Sequence, residues 1–433
     1  MRIRAVVVNF NGGDEVLGCL RALLDSDEHD LDVVVVDNGS VDGSPERIAA
    51  VTGVRLVRAP GNLGYPAINL VTEDLTGIDA VAIINPDAVL APNCLSLLAR
   101  ALDEDARIGA ACPLILLDGT YREVHFGLDG PPRACLDLLL VDDADRWHLT
   151  GDRVRRRWHH GVAWTVGDGS VLRTTATGPV SIRVRAQARG TLTLTSGEHR
   201  VQRPVGRRVT AVSVPIGGQG RNIVQNAGSM IGPRGLGMNR GYHAAEGPPF
   251  DEPVDLPAWC GAAVLLRSDY LRDVGLLDPR WFLYYEDTDL AWRGLLRGWR
   301  YRYVPEARVT HAHSTTIGHG SGLYDVQHLR NRLLTVAKNA PRTEIAAAWH
   351  DGLRIVVAQV RADVLARLRD RRTPELVLTG RRIQALAAAA RMTPAVLRTR
   401  RSVRRGATVA DDALPVLGRW SDPTGGASCK ASS

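Results

Sequence analysis

Two short acidic motifs, about 200 residues apart, are where this chain could do chemistry. Asn85-Pro86-Asp87 closes the apolar run Ala80–Ile84, and Glu286-Asp287-Thr288-Asp289 closes the aromatic run Trp281–Tyr285. A carboxylate at the carboxyl end of a parallel strand points into the crevice where open α/β sheets bind ligands. There, Asp87 can hold a divalent metal against a diphosphate. The second cluster opens a segment, Leu290–Leu296, whose apolar spacing is helical. Acids at a helix start cap it and offset its dipole, a reading that suits Asp289 and Thr288. Further carboxylates in the same turn add repulsion without adding capping, so either Glu286 or Asp287 becomes a base of raised proton affinity.

These motifs need elements to position them. Over residues 1 to about 115, β-branched runs alternate with amphipathic ones at the spacing of βαβ units on a parallel sheet, broken by Asn11-Gly12-Gly13, Asp37-Asn38-Gly39-Ser40 and Pro60-Gly61-Asn62-Leu63-Gly64. Asp37 ends the second strand, where it can accept hydrogen bonds from a pyrimidine base and a ribose, although Asp-Asn-Gly also marks an ordinary turn. Asn62 and Gly64 shape a loop leading into a helix, a setting that favours phosphate. From 127 to 222 the texture changes to period-two segments such as Thr191-Leu192-Thr193-Leu194-Thr195, which predict an inserted antiparallel sandwich. The catalytic texture resumes at 223 and runs to 321. Residues 322–410 read as an arginine-rich helical region and 411–433 as a flexible tail.

Net charge is +7, but the segment from His350 to Ala410 alone holds fourteen arginines and no lysine against four acids, a net +10. A basic amphipathic helix fits an anionic membrane surface, and no nucleic-acid-binding motif accompanies it, so nucleic acid is not an expected partner. Six cysteines without a C-x-x-C pair point to reduced thiols. No apolar run is long enough to span a bilayer, and the expected location is cytoplasmic, peripheral on the inner face of the cell membrane.

The order of four N-terminal stretches, Val6–Gly12, Val36–Ser44, Asn62–Asn69 and Asn85–Asp87, and of two later ones, Phe282–Arg293 and Val309–His313, resembles family-2 glycosyltransferases, in particular bacterial rhamnosyltransferase-like members. The resemblance implies a glycosyltransferase A-type, Rossmann-like α/β core carrying the inserted sandwich, a nucleotide-sugar donor, and sugar transfer with inversion to a glycan or lipid-linked acceptor. It implies a nucleotide site of Asn9, Asn11, Asp37, Ser40, Asn62, Gly64 and Asn85. It selects Asp287 as the base beside Glu286, and His311, with His313 as runner-up, to join Asp87 on a manganese or magnesium ion. Asn85 stands where the commoner Asp-x-Asp pattern has its first carboxylate. Trp259 and Trp281 are candidates for packing on an acceptor sugar, although core packing serves them equally, and Arg330 could reach a phosphate. L-rhamnose leads among donor sugars on this resemblance. Two rivals stand: a non-catalytic glycan-binding protein built on the insertion, and a sugar nucleotidyltransferase, against which the first loop offers no cation.

Overall fold

The computed structural model describes residues 1–28, 30–129, 135–142, 147–150, 155–158, 162–186, 188–312, 322–369, 373–374 and 376–416. His313 and residues 417–433 of the expected tail lie outside them. The described chain divides into two compact units, Met1–Leu117 with Gln225–Tyr242 and Gly247 onward, and Asp118–Val224 with His243–Glu246.

The first unit is built on a ten-stranded sheet. Its labelled elements are β1 (Ile3–Asn9), α1 (Glu15–Leu24), β2 (Leu31–Asp37), β3 (Val54–Arg58), β4 (Ala80–Ile84), α2 (Cys94–Asp103), β5 (Ile108–Leu117), β6 (Ala263–Arg267), α3 (Glu286–Leu296) and β7 (Arg300–His311). The spatial order is β3-β2-β1-β4-β6-β5-β7, with Asp255–Leu256 at the far edge. β1 runs parallel to β2 and β4, and β2 parallel to β3, as the βαβ texture predicts. β6 enters antiparallel between β4 and β5, and β7 lies parallel to β5. Strands buried on both faces read as continuous apolar runs, and Ala80–Ile84 is buried at every position. The helices α1 and α2 bury Val16, Cys19, Leu20, Leu95 and Leu98 against the sheet.

The order reverses at β1, whose neighbours β2 and β4 lead away on opposite sides, and Asn9 pairs in register with Asp37. Asn9, Asp37 and Asn85 therefore share one carboxyl edge at a switch of strand order, the usual ligand crevice of such sheets.

In the second unit, ten strands form two five-stranded sheets. Val124, Phe126, Leu172, Leu192 and Leu194 from one, and Val180, Ile182, Val184, Val212 and Val214 from the other, make a common apolar core. The strand Arg122–Asp129 straddles the boundary expected between 126 and 127, because its alternation continues without a break. At the neck, Tyr121 and Arg221 exchange backbone hydrogen bonds of 2.9 and 2.8 Å.

Three further helices follow: α4 (Gly322–Asn339), α5 (Arg342–Val360) and α6 (Val377–Arg405). They belong to the first unit, so the boundary expected at 321/322 does not separate a body of its own. The reason is burial: Asn331, Leu333, Thr335, Val336, Ala337 and Asn339 of α4 are wholly enclosed. The start of the expected tail is also packed, since Arg404 pairs with Asp411, and Leu414 and Val416 are buried.

Candidate active site

Asn9 organises the β1–β2 edge of the crevice from within. Its amide nitrogen donates to Asp37 Oδ1 (2.9 Å), Ser40 Oγ (3.0 Å) and Ser44 Oγ (2.9 Å), and its oxygen accepts from the Gly12 N–H. Asp37 Oδ2 accepts from the N–H groups of Gly39 and Ser40, Asn11 N–H donates to Ser40 Oγ, and Val41 N–H donates to Asn11 Oδ1. The turn after β2 is thus held by the side chains at its ends. Asn62 Oδ1 accepts from Gly64 N–H, and Asn38 Nδ2 donates to Gly64 O. Gly64 has φ +69°, and a Cβ there would stand 2.0 Å from Phe282 O, so only glycine lets the two loops meet.

That contact brings the acidic motif of α3 to the crevice. Tyr65 N–H donates to Phe282 O, the Tyr65 hydroxyl donates to Gly261 O, and Gly261 N–H donates to Asp287 Oδ2 at 3.1 Å. The backbone ahead of α3 is wound into the left-handed region at Phe282, Tyr284 and Tyr285, with φ of 56°, 68° and 71°. Three such non-glycine residues cost energy, and strain of this kind is held where the surroundings over-determine it. Here the fixing group is Asn331 of α4, whose amide donates to the carbonyls of Trp281, Leu283 and Tyr284 at 2.7–2.8 Å.

The acids of the motif part company. Glu286 is buried, and its Oε2 has no hydrogen-bond partner among the described residues. Burial, followed by the neighbouring Asp287 charge, holds its carboxyl well above the usual carboxylate range. Burial also raises Asp287, opposed by the N–H donors of Gly261 and Thr288. Asp289 does not cap the helix. It is wholly buried and bonded to Lys338 Nζ (2.7 Å), Arg293 Nε (3.0 Å) and Asn339 Nδ2 (2.9 Å). Burial opposes its ionisation, but the two cations prevail and lower it.

Asp87 meets His311 at the ends of neighbouring segments, since Ala88–Leu90 pairs with β7 and puts His311 opposite Ala88. His311 Nε2 is 2.9 Å from Asp87 Oδ1 and 3.3 Å from Asn85 Nδ2, and its Nδ1 is 2.7 Å from Gln225 Oε1. Each ring nitrogen of His311 thus has an oxygen within hydrogen-bond distance, Gln225 on one side and Asp87 on the other, and a proton or a metal ion between Nε2 and Asp87 would suit the pair. A histidine whose far nitrogen donates to an oxygen is also the usual posture of a metal ligand. Among the described residues no group of three His, Cys, Asp or Glu could hold a metal, so these two side chains would leave the remaining positions to water and ligand phosphates. The Tyr65 hydroxyl is raised well above its ordinary range chiefly by burial, and the charges of Glu286, Cys260, Asp287 and Asp87 act in the same direction.

This geometry accompanies a direct match. Residues 5–132 fit the model of glycosyl transferase family 2. The chain carries a family-2 glycosyltransferase domain. It is an enzyme of glycosyl transfer built on an α/β core. It is 26% identical over 325 residues, 72% of this chain and 76% of the other, to the N-acetylglucosaminyl-diphospho-decaprenol L-rhamnosyltransferase of Mycobacterium tuberculosis. Among solved structures it resembles GalNAc-T7 with UDP, GalNAc and Mn2+, at TM-score 0.45 and 14% identity over 78% of this chain, spanning only 48% of that one. It also resembles the mannosyltransferase PcManGT from Pyrobaculum calidifontis in complex with GDP-Man and Mn2+, at TM-score 0.40 and 14% identity, covering 91% and 87% of the two chains.

The acceptor expectations fare differently. Trp259 and Trp281 are both fully buried, and Trp281 Nε1 donates to Thr335 Oγ1, so neither ring offers a face to a sugar. Arg330 is half-buried and turned to the loop before α3, donating to Trp281 O at 3.2 Å. Gln225, Tyr65 and Asn331 were not foreseen. Gln225 lies just past the insertion with no motif around it, whereas Asn331 directly follows Arg330, which the sequence already singles out.

Proposed function

We propose that the protein is a metal-assisted, inverting glycosyltransferase that moves a sugar, with L-rhamnose the leading candidate, from a thymidine- or uridine-diphosphate donor to a cell-envelope or lipid-linked glycan. The observation that carries the reading is that Tyr65 and Gly261 tie the loop at Gly64 to Asp287 by hydrogen bonds, while His311 pairs with Asp87 at the end of its own strand. The nucleotide would lie along the carboxyl edge by Asn11, Asp37, Ser40, Asn62 and Gly64, with Asn9 bracing the turn and Asn85 the metal side. Manganese or magnesium held by Asp87 and His311 would neutralise charge rising on the departing diphosphate. Asp287 accepts the proton of the acceptor hydroxyl as its oxygen attacks the anomeric carbon opposite the diphosphate. Burial and the Asp287 charge raise Glu286, which disfavours a second ionised carboxylate beside the base. The named acceptor and sugar of the Mycobacterium tuberculosis relative support the choice of a diphospholipid acceptor and of rhamnose.

Asp87→Ala is expected to abolish manganese-dependent binding of a nucleotide sugar in calorimetry, together with turnover. Unchanged donor affinity in that variant, with and without manganese, would sink the metal role.

The same reading places the enzyme against the cytoplasmic membrane surface. No described helix is long and apolar enough to cross a bilayer. Leu353 and Val357 of α5, and Leu365 and Leu368 beyond it, are exposed among arginines, which supports peripheral docking on anionic lipid. Salt-sensitive co-sedimentation with anionic vesicles is the expected result, and equal pelleting with neutral vesicles would refute it.

A further inference from the structure

Helices α4 and α6 enclose a cavity of about 540 Å³ that no step above uses. Arg330, Arg381 and Arg391 line it together with Gln327 and the apolar Leu323 and Val326. We infer that this cavity receives the diphosphate of an amphiphilic acceptor, with the arginines on the phosphate oxygens and the aliphatic wall against the start of the lipid chain.

Four observations carry this. First, the lining is rich in guanidinium. Arg381 pairs with Asp325 at 3.0 Å, whereas the hydrogen bonds of Arg330 run to the neutral oxygens of Asn331, Trp281 and Arg280. Guanidinium forks match phosphate geometry, and two or three of them suit a diphosphate better than a single phosphate. Burial lowers the Arg330 proton affinity, as expected of a half-buried cation with no anion in contact among the described residues.

Second, Gln327 is 8% exposed and its Oε1 has no hydrogen-bond partner among the described residues. An enclosed acceptor of this kind calls for a donor from outside, such as a sugar hydroxyl or a water bridging to the ligand. Third, an ideal Cβ at Gly322, the first described residue of α4, would stand 3.1 Å from Arg381 Nε, so the absent side chain leaves room for that guanidinium beside the cavity.

Fourth, the cavity is wired to the catalytic loop. Arg330 lines it and also donates to Trp281 O, and the next residue, Asn331, holds Trp281, Leu283 and Tyr284 just ahead of Glu286 and Asp287. An acceptor anchored by its diphosphate at Arg330 thus lies beside the backbone that aims the base. This inference rests on the proposed transfer to a diphospholipid acceptor, and it adds where the anionic part of that acceptor is held.

The test titrates the full-length protein with farnesyl diphosphate, inorganic pyrophosphate and, with manganese, thymidine diphosphate. Arg391→Gln is the first variant because Arg391 is exposed and its loss leaves the packing intact; Arg381→Gln is the second. Farnesyl diphosphate is expected to bind the native protein and to bind each variant about tenfold or more weakly, the effect of one charge-assisted hydrogen-bonding group. Thymidine diphosphate affinity should be the same in all three proteins.

Equal farnesyl diphosphate affinity in native protein and variants overturns the inference. So does a parallel loss of thymidine diphosphate, which would make the cavity part of the donor site. Inorganic pyrophosphate binding as tightly as farnesyl diphosphate would assign the cavity to a free anion and overturn the lipid assignment. Arginine-dependent farnesyl diphosphate binding in a protein that turns over no nucleotide sugar would support the cavity assignment while removing the transfer reading, so the two fail separately.

Discussion

Within one turn of α3, Glu286 and Asp287 on one hand and Asp289 on the other carry the same formal charge and reach opposite electrostatic states. Glu286 and Asp287 are raised because burial acts on them with backbone donors at most in opposition. Asp289 is buried more completely and is nevertheless lowered, because Lys338 and Arg293 lie against it. Burial alone therefore does not decide whether a carboxylate is a base or a brace; the presence of a partnered cation does. The division is also one of chain distance. Lys338 and Asn339 arrive from α4, beyond the end of the catalytic strands, and fix Asp289 so that its two neighbours can be left poised.

Replacing each type of acid should break this contrast in a different observable. Asp287→Asn is expected to lose about 10²–10⁴-fold in turnover with donor binding retained, because general-base catalysis goes while the site keeps its shape. Single-turnover rates beside donor calorimetry would check it, and an equal fall in donor affinity would return Asp287 to the binding site. In the native enzyme, turnover should decline as pH falls through the raised Asp287 value, since only the ionised carboxylate accepts a proton.

Lys338→Met should act on stability instead. It takes away one of the two cations on Asp289, leaving Arg293, and removes a partner of Asp278; breaking a buried pair on one side costs up to about 3–5 kcal/mol. A shift of the urea midpoint reads this, and adding Asp289→Asn should recover part of the loss. Asp278 and Asp289 are both held low, so their stabilisation is present above the unfolded value of about 3.9 and is lost as pH falls through the lower folded values. Activity should thus fade reversibly at a higher pH than the one at which the fold gives way. Coincident loss of the two on acid titration would show that base and brace are not separate.

Much of the arrangement at the β1–β2 edge was legible in the residues, and the reason is local. Asn9 and Asp37 end adjacent parallel strands, so their pairing follows from two short motifs and a register. Asp87 with His311 spans the insertion, and only the order of motifs along the chain joined them. Gln225 reaches the histidine ring from a three-residue strand that no pattern announces. Trp259 and Trp281 illustrate a different limit. An indole beside small residues reads equally as a sugar platform or as core filling, and only tertiary packing, which buries both, decides. The basic composition of the C-terminal helices likewise hid the fact that α4 turns Asn331, Lys338 and Asn339 inward as fasteners of the catalytic loop and helix.

The paired backbones of Tyr121 and Arg221 have a topological consequence for the chain that carries them. A floppy excursion of about 100 residues would tax the surrounding fold with roughly 4 kcal/mol of ring-closure entropy, a cost that grows with the logarithm of length. Here the excursion zips its own two ends together at the neck and encloses its own apolar core, so the flanking strands meet something that behaves like a short turn. To the host sheet the insertion's length is almost invisible, and a polymer argument of this kind lets a gene lengthen or shorten such an excursion while the strands on either side keep their places.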